Sequence, residues 1–158
     1  MKKSFLIVTI LLLVVLSCSF MGCGKKNKIE NAVQDFYNAV LESQEKLDIL
    51  NDAIYDNWYG AIYKDKFNGN INLAIAYAFS DNETLVDEIE ANDEVIKGFY
   101  KLAKESDLSY EIKAVMQAYN EYYEFTVNVS GSFNSFKESS ETNKKALATA
   151  LKNLSYEI

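Results

Sequence analysis

The chain contains no histidine and no arginine, which removes several common kinds of chemistry. Without histidine there is no His-based triad, no two-histidine iron site and no Glu-x-x-His di-iron motif. Without arginine there is no planar, bidentate capture of phosphate or carboxylate. The densest run of acids is Asp87, Glu88, Glu90, Asp93 and Glu94. Two carboxylates suffice in principle for glycoside hydrolysis. Their spacing, however, sets them on the helix face opposite Leu85, Ile89 and Ile96, which predicts a solvated face. Asp65-Lys66-Phe67-Asn68-Gly69-Asn70 offers a turn and several oxygens for calcium, but its Gly comes one place early for an EF-hand and Ala76 holds the twelfth position. The residues therefore predict no catalytic set, no metal and no cofactor.

The positive signal is aromatic. Tyr55, Tyr59 and Tyr63 recur every four residues beside Trp58, and Tyr119, Tyr122 and Tyr123 form a second cluster. Three roles fit this pattern. The rings can form a bundle core with their hydroxyls wetted at its rim. They can form a recognition surface, where an acidic surround favours a basic or cationic partner. They can also line a pocket between helices, as in a carrier of small ligands.

At the amino terminus Lys2 and Lys3 precede an apolar run from Phe5 to Leu16 and then small residues, the layout of an export signal. The run is short for a membrane span and the polar 22–28 stretch follows at once, so cleavage is expected. Phe20-Met21-Gly22-Cys23 then resembles the lipobox of a bacterial lipoprotein precursor: an apolar residue, a tolerant position, a small residue and the modified cysteine. Val15-Leu16-Ser17-Cys18 is the competing match. It has the better apolar residue, but it would leave Phe20, Met21 and a second cysteine in the mature chain. The resemblance implies a diacylglyceryl group of palmitate type on the Cys23 sulfur and a cut before that residue. It covers only the first 24 residues. It divides the chain into a signal peptide (1–22), a short lipid-anchored tether (23–28) and a helical domain (29–158), held at the extracytoplasmic face of the bacterial cell membrane. Choosing Cys18 would lengthen the tether by five residues and leave the compartment unchanged.

On this reading the mature domain has no disulfide and no free thiol. Five extended residues between Cys23 and Ile29 reach at most about 20 Å, so the domain stays near the bilayer. Lys25, Lys26 and Lys28 would lie at the headgroups, each adding about 1 kcal/mol of attraction to an anionic leaflet, or would serve only as a soluble spacer. The full chain has 16 basic and 23 acidic residues; setting aside Lys2 and Lys3 leaves 14 against 23, or −9. That sign argues against nucleic acid as a partner.

Beyond the tether the periodicity is helical throughout. Ile29, Val33, Phe36, Val40, Ser43, Leu47, Leu50 and Ile54 step by four and three, and the stripe continues through Trp58 and Ile62 to a turn at Gly69. Ile75, Ala78, Asn82, Leu85, Ile89, Asn92, Ile96, Phe99 and Ala103 form a second stripe. The Ser80-Asp81-Asn82-Glu83 capping-box spacing predicts a break, giving helices near 71–79 and 82–105. Asn82 and Asn92 either fix register or lie at a solvated margin. Ser106-Asp107 caps a third stretch running to about residue 128. Residues 125–129 also alternate like a strand, but a lone hairpin is marginal, so the helix is preferred. Residues 130–142 read as a loop pinned by Phe133 and Phe136, and a last helix from Ser139 or Ser140 brings Leu147, Ala150, Leu151 and Leu154 together. The expected fold is all-α: an antiparallel bundle of four or five helices with heptad-like packing.

The functional expectation is a non-enzymatic, lipid-anchored protein that acts through an envelope partner. A small-ligand carrier is the alternative. Lysine without arginine, abundant Asn and Ile, and no proline suit an AT-rich genome. Small anchored helical proteins of this build in AT-rich Gram-positive bacteria and their prophages include superinfection-exclusion lipoproteins, a likeness of architecture that transfers no residue.

Overall fold

In the computed structural model, which describes residues 25–158, five α-helices follow one another: α1 Lys25–Tyr63, α2 Ile71–Asp81, α3 Glu83–Ala103, α4 Ser109–Val127 and α5 Phe133–Ser155. A 3₁₀ turn, Lys66–Gly69, links the first two. The signal and lipobox readings at Cys23 and Cys18 lie outside the described residues. α1 is the axis of the fold, 39 residues and about 58 Å long, and every other helix packs against it.

Helix directions follow from the pairs that meet. Phe36 meets Tyr100, Lys46 meets Glu88 and Asn57 meets Ala74, so α2 and α3 form one broken leg running back along α1. Asp48 meets Tyr122 and Asn51 meets Thr126, so α4 runs parallel to α1. Asp48 also meets Lys144, and Trp58 meets Phe136, so α5 returns antiparallel. Five helices thus make a four-legged, up-down-up-down bundle of the expected class. One end gathers the start of α1, the end of α3, the start of α4 and the end of α5. The other carries the α1–α2 and α4–α5 connections.

The α1 stripe is the core: Val33, Phe36, Val40, Ser43, Leu47, Leu50, Ile54 and Trp58 are all buried, as the spacing predicts. Among the described residues the buried apolar cluster runs from Ala32 to Leu154 and draws on all five helices.

Several boundaries differ from the expectation. α1 starts at Lys25, so residues 25–28 are helical and rise about 1.5 Å each where an extended tether would rise more than 3 Å. α1 ends at Tyr63 and Ile62 is exposed. The chain then passes through positive φ at Asp65, Phe67 and Asn68 before Gly69. L-residues in the left-handed region cost about 1 kcal/mol each; the Phe67 ring offsets part of this by packing on Tyr77 at 5.3 Å. The break between α2 and α3 falls at Asn82 as anticipated, yet no capping box forms there. The Asn82 amide instead donates to the Ala78 carbonyl at 2.8 Å.

The loop expected over 130–142 is overturned. α5 begins at Phe133, because Ser132 and Ser135 form a reciprocal box: Ser135 N–H donates to Ser132 Oγ at 3.2 Å and Ser132 N–H to Ser135 Oγ at 2.8 Å. The Ser- and Asn-rich stretch that looked irregular is the exposed face of this helix's first turns, while Phe136 is buried. Ser132→Ala should cost about 1 kcal/mol in a denaturant titration, the usual value of an N-cap, with fraying confined to the first turns of α5 by amide exchange.

The candidate functional site: two aromatic groups and two bundle ends

The tyrosines and the tryptophan singled out by spacing separate into two groups at different heights along α1. The first lies where α1 ends. Tyr55, Trp58, Tyr59 and Tyr63 come together around Phe133 of α5, with ring centroids 5.0, 5.9, 6.2 and 6.1 Å from it. Phe136 adds a contact to Trp58 at 5.4 Å and to Phe125 at 5.0 Å. Phe133 is the hub, and sequence spacing gave it only the task of pinning a loop. Once Ser132 starts a helix at that point, the i and i+3 positions of its first turn both face α1. Trp58 is buried, Tyr55 and Tyr59 are half-buried and Tyr63 is exposed. Trp58 belongs to the core and Tyr55 packs against it, whereas Tyr63 stays open to water. The cleft at the α2–α3 junction is lined by Ser80 to Leu85 and Glu88, with no tyrosine or tryptophan.

The second group sits about two turns lower. Tyr119 and Tyr122 are fully buried and Tyr123 half-buried, so the first two are not part of any binding surface. The Tyr122 hydroxyl donates to Asp48 Oδ1 at 2.6 Å, and Asp48 Oδ2 pairs with Lys144 at 2.7 Å. One carboxylate thus ties α1, α4 and α5. A turn further along, the buried Asn51 amide donates to Thr126 Oγ1 at 2.5 Å and to the Leu47 carbonyl at 3.1 Å. Burial pushes the Tyr122 phenol far above the ordinary tyrosine range, and the Asp48 carboxylate pushes it further. Burial does the same to Tyr119, whose hydroxyl turns toward Ser43 and Asp93 without closing a hydrogen bond.

The acidic run is corrected at one residue. Asp87, Glu90 and Glu94 are exposed as expected, and Glu88 is half-exposed, pairing across to Lys46 of α1 at 3.2 Å. Asp93, however, is only 4% exposed. It faces α4, with Oδ2 held by Lys97 at 2.6 Å and Oδ1 unpartnered among the described residues. That hydrogen bond holds the Lys97 ammonium above the ordinary lysine range. The neighbouring Asn92 is buried as well, so this Asn of the second stripe is not a solvated margin. Asn92 and Asp93 border the α1-facing stripe, and the sequence period alone could not tell a border from the outer face. Asp65–Asn70 becomes the strained turn. Among the described residues no group of three or more His, Cys, Asp or Glu is close enough to hold a metal ion.

Exposed apolar side chains concentrate at the two ends. At the α1–α2 end they are Ile62, Tyr63, Ile71, Leu73 and Tyr77; at the other, Leu102, Tyr110, Tyr156 and Ile158. Among the described residues, only Leu41 and Ile49 lie between. Charge is divided in the same way. Residues 57–80 and 125–136 together hold two Lys and one acid, Asp65, so the α1–α2 end is stripped of the negative charge that covers the middle of the bundle. The acidic surround expected beside the tyrosines exists around half-buried Tyr123, near Asp93 and Glu90, and is missing at Tyr63. Among the described residues no helix is long and apolar enough to cross a membrane. The chain matches no family model, no curated protein and no solved structure.

Proposed function

We propose that this is a non-enzymatic lipoprotein of the bacterial cell envelope, anchored through Cys23 to the outer face of the membrane, that engages an envelope protein with the far end of its bundle. The observation that carries the reading is the exposed apolar tip of Ile62, Tyr63, Ile71, Leu73 and Tyr77. Exposed apolar side chains gathered at one end of a bundle, and not scattered singly, are the kind of feature that marks interaction sites. Ile62 and Tyr63 lie at the far end of α1, about 56 Å along the helix from Lys25. A membrane-held rod would present such a tip outward. The missing histidine, arginine and mature thiol leave presentation, rather than catalysis, as the work of the chain.

Two measurements test the reading. Mass analysis of the membrane-extracted protein should give a diacylglyceryl cysteine at residue 23 as the new amino terminus, and Cys23→Ala should move the protein out of the membrane fraction. An intact Met1, or unmodified Cys23 in a soluble product, would overturn the anchor. For the tip, whole-cell crosslinking should yield a discrete adduct that disappears in a Tyr63→Ser, Tyr77→Ser variant with an unchanged melting temperature. An adduct indifferent to both changes would remove the tip from the proposal.

A further inference from the structure

The end of the bundle nearest Cys23 has its own composition. α3 ends with exposed Leu102, α4 opens with Tyr110 at 81% exposure, and beyond α5 come Tyr156 at 70% and Ile158. Each of the three helix termini that meet beside the start of α1 therefore puts a large apolar side chain into water. Lysines stand among them, two held over tyrosine rings: Lys104 is 5.6 Å from the Tyr100 centroid and Lys152 is 5.8 Å from Tyr156. The segments 25–30, 101–113 and 152–158 carry seven Lys against five acids, a net of +2; the remainder of 23–158 carries seven against eighteen, a net of −11. In an acidic protein, half of the mature lysines are gathered at one end.

We infer that this end is a lipid-binding face that seats the bundle on an anionic bilayer. The inference rests on the reading of Cys23 as lipidated, which brings this end to the membrane. Mixed tyrosine, aliphatic and lysine side chains are the composition of a membrane–water boundary, where the rings take the headgroup level and the ammonium groups meet lipid phosphates. The geometry allows it. α1 starts ahead of its partners, with Ala32 its first buried residue, so Lys26 and Lys28 enter the headgroup layer first. Judged by the pairs Phe36–Tyr100 and Asp48–Lys144, Lys104 follows about 6 Å behind Lys28 along α1 and Lys152 about 18 Å behind, so a tilted bundle is needed to bring both to the headgroups. A lean toward α4 and α5 lays Tyr110 and Tyr156 on the surface. The acidic middle of the bundle then faces away from lipid phosphate, and the whole arrangement points the opposite tip outward. The helix ends thereby add a headgroup contact to the hydrophobic hold of the two acyl chains.

The test uses the proposed mature chain, residues 23–158, carrying Cys23→Ser so that no lipid is attached. Co-sedimentation is measured with vesicles of phosphatidylcholine alone and of phosphatidylcholine mixed with phosphatidylglycerol. The domain should sediment with the mixed vesicles only, and the binding should weaken as salt rises. Changing Lys101, Lys104 and Lys152 together to Gln should reduce it by at least about tenfold, and Tyr110→Ser with Tyr156→Ser should reduce it further. Lys64→Gln with Lys66→Gln, at the opposite end, should leave it unchanged. No binding to the anionic vesicles, or an equal loss from the Lys64 and Lys66 changes, would overturn the inference. An acylated Cys23 together with a domain that ignores vesicles would remove this face and leave the anchor standing.

Discussion

Trp58→Ala should lower the melting temperature more than any exposed change in the aromatic group. The side chain is 3% exposed and touches Phe133 and Phe136 from two sides. Truncating a buried tryptophan to alanine costs about 3–5 kcal/mol through lost burial and the cavity left behind. For a domain of this length that is a fall of about 10–20 °C. The loss should spread to α5, because Phe133 and Phe136 lose their α1 partner together and the reciprocal serine box then holds a first turn with little beneath it. Trp58→Phe separates packing from polarity. The indole N–H is buried with no acceptor among the described residues, so phenylalanine removes an unsatisfied donor while keeping most of the ring. It should cost less than half as much as alanine in the same calorimetric scan. Equal losses for the two variants would mean that the N–H, through a bound water, contributes as much as the ring.

Alkali should unfold the bundle through its two buried phenols. Tyr119 and Tyr122 both have folded-state values raised above the unfolded tyrosine value, by burial first and by nearby carboxylates next. A raised value means the folded state holds its proton longer than the unfolded state. The associated stability is therefore complete below about pH 10, the unfolded value, and drains away as pH rises from there toward the folded values. Each phenol should contribute a slope of up to about 1.4 kcal/mol per pH unit, and the two together up to about 2.7. Urea titrations between about pH 9 and pH 11.5 would show it. Tyr119→Phe should cost little at neutral pH, because its hydroxyl closes no hydrogen bond, yet should remove about half of the alkaline slope. Tyr122→Phe should remove the other half and also cost stability at neutral pH, since Asp48 loses the hydroxyl it accepts from at 2.6 Å. An alkaline slope unaltered in both variants would place the titration elsewhere, on lysines such as Lys97, whose carboxylate partner also raises it.

The same side chains mark where local pattern gives out. The α1 stripe from Val33 to Trp58 could be read directly from spacing of four and three, because a helix that long repeats its buried face seven times over. Gly131, at φ 91, lies in the α4–α5 connection, the part of the 130–142 stretch where the loop reading holds. By contrast, Ser132 and Ser135 were lost in a stretch of small polar residues whose composition reads as loop, since a serine cap carries no apolar signal of its own. The seven aromatic candidates were recognised as a set, but spacing could not sort Tyr119, with no exposure, from Tyr63, at 60%. Nor could it separate the tip from the membrane-side end, because each is made of residues far apart in the chain.

By itself, the sequence determined what depends on near neighbours: an all-helical chain, the face α1 buries and a break near Asn82. Only the tertiary structure decided what depends on which legs touch. It buried Asp93 facing α4 and Asn92 beside Glu42 of α1, made Asp48 the tie between Tyr122 and Lys144, and made Phe133 the hub of the aromatic group. It also collected lysine and exposed tyrosine at one end and an acid-poor apolar tip at the other. The physical reason is that a helix period fixes a side chain's angle about its own axis, whereas burial, pairing and the sharing of charge depend on what the neighbouring helix places at that angle and height.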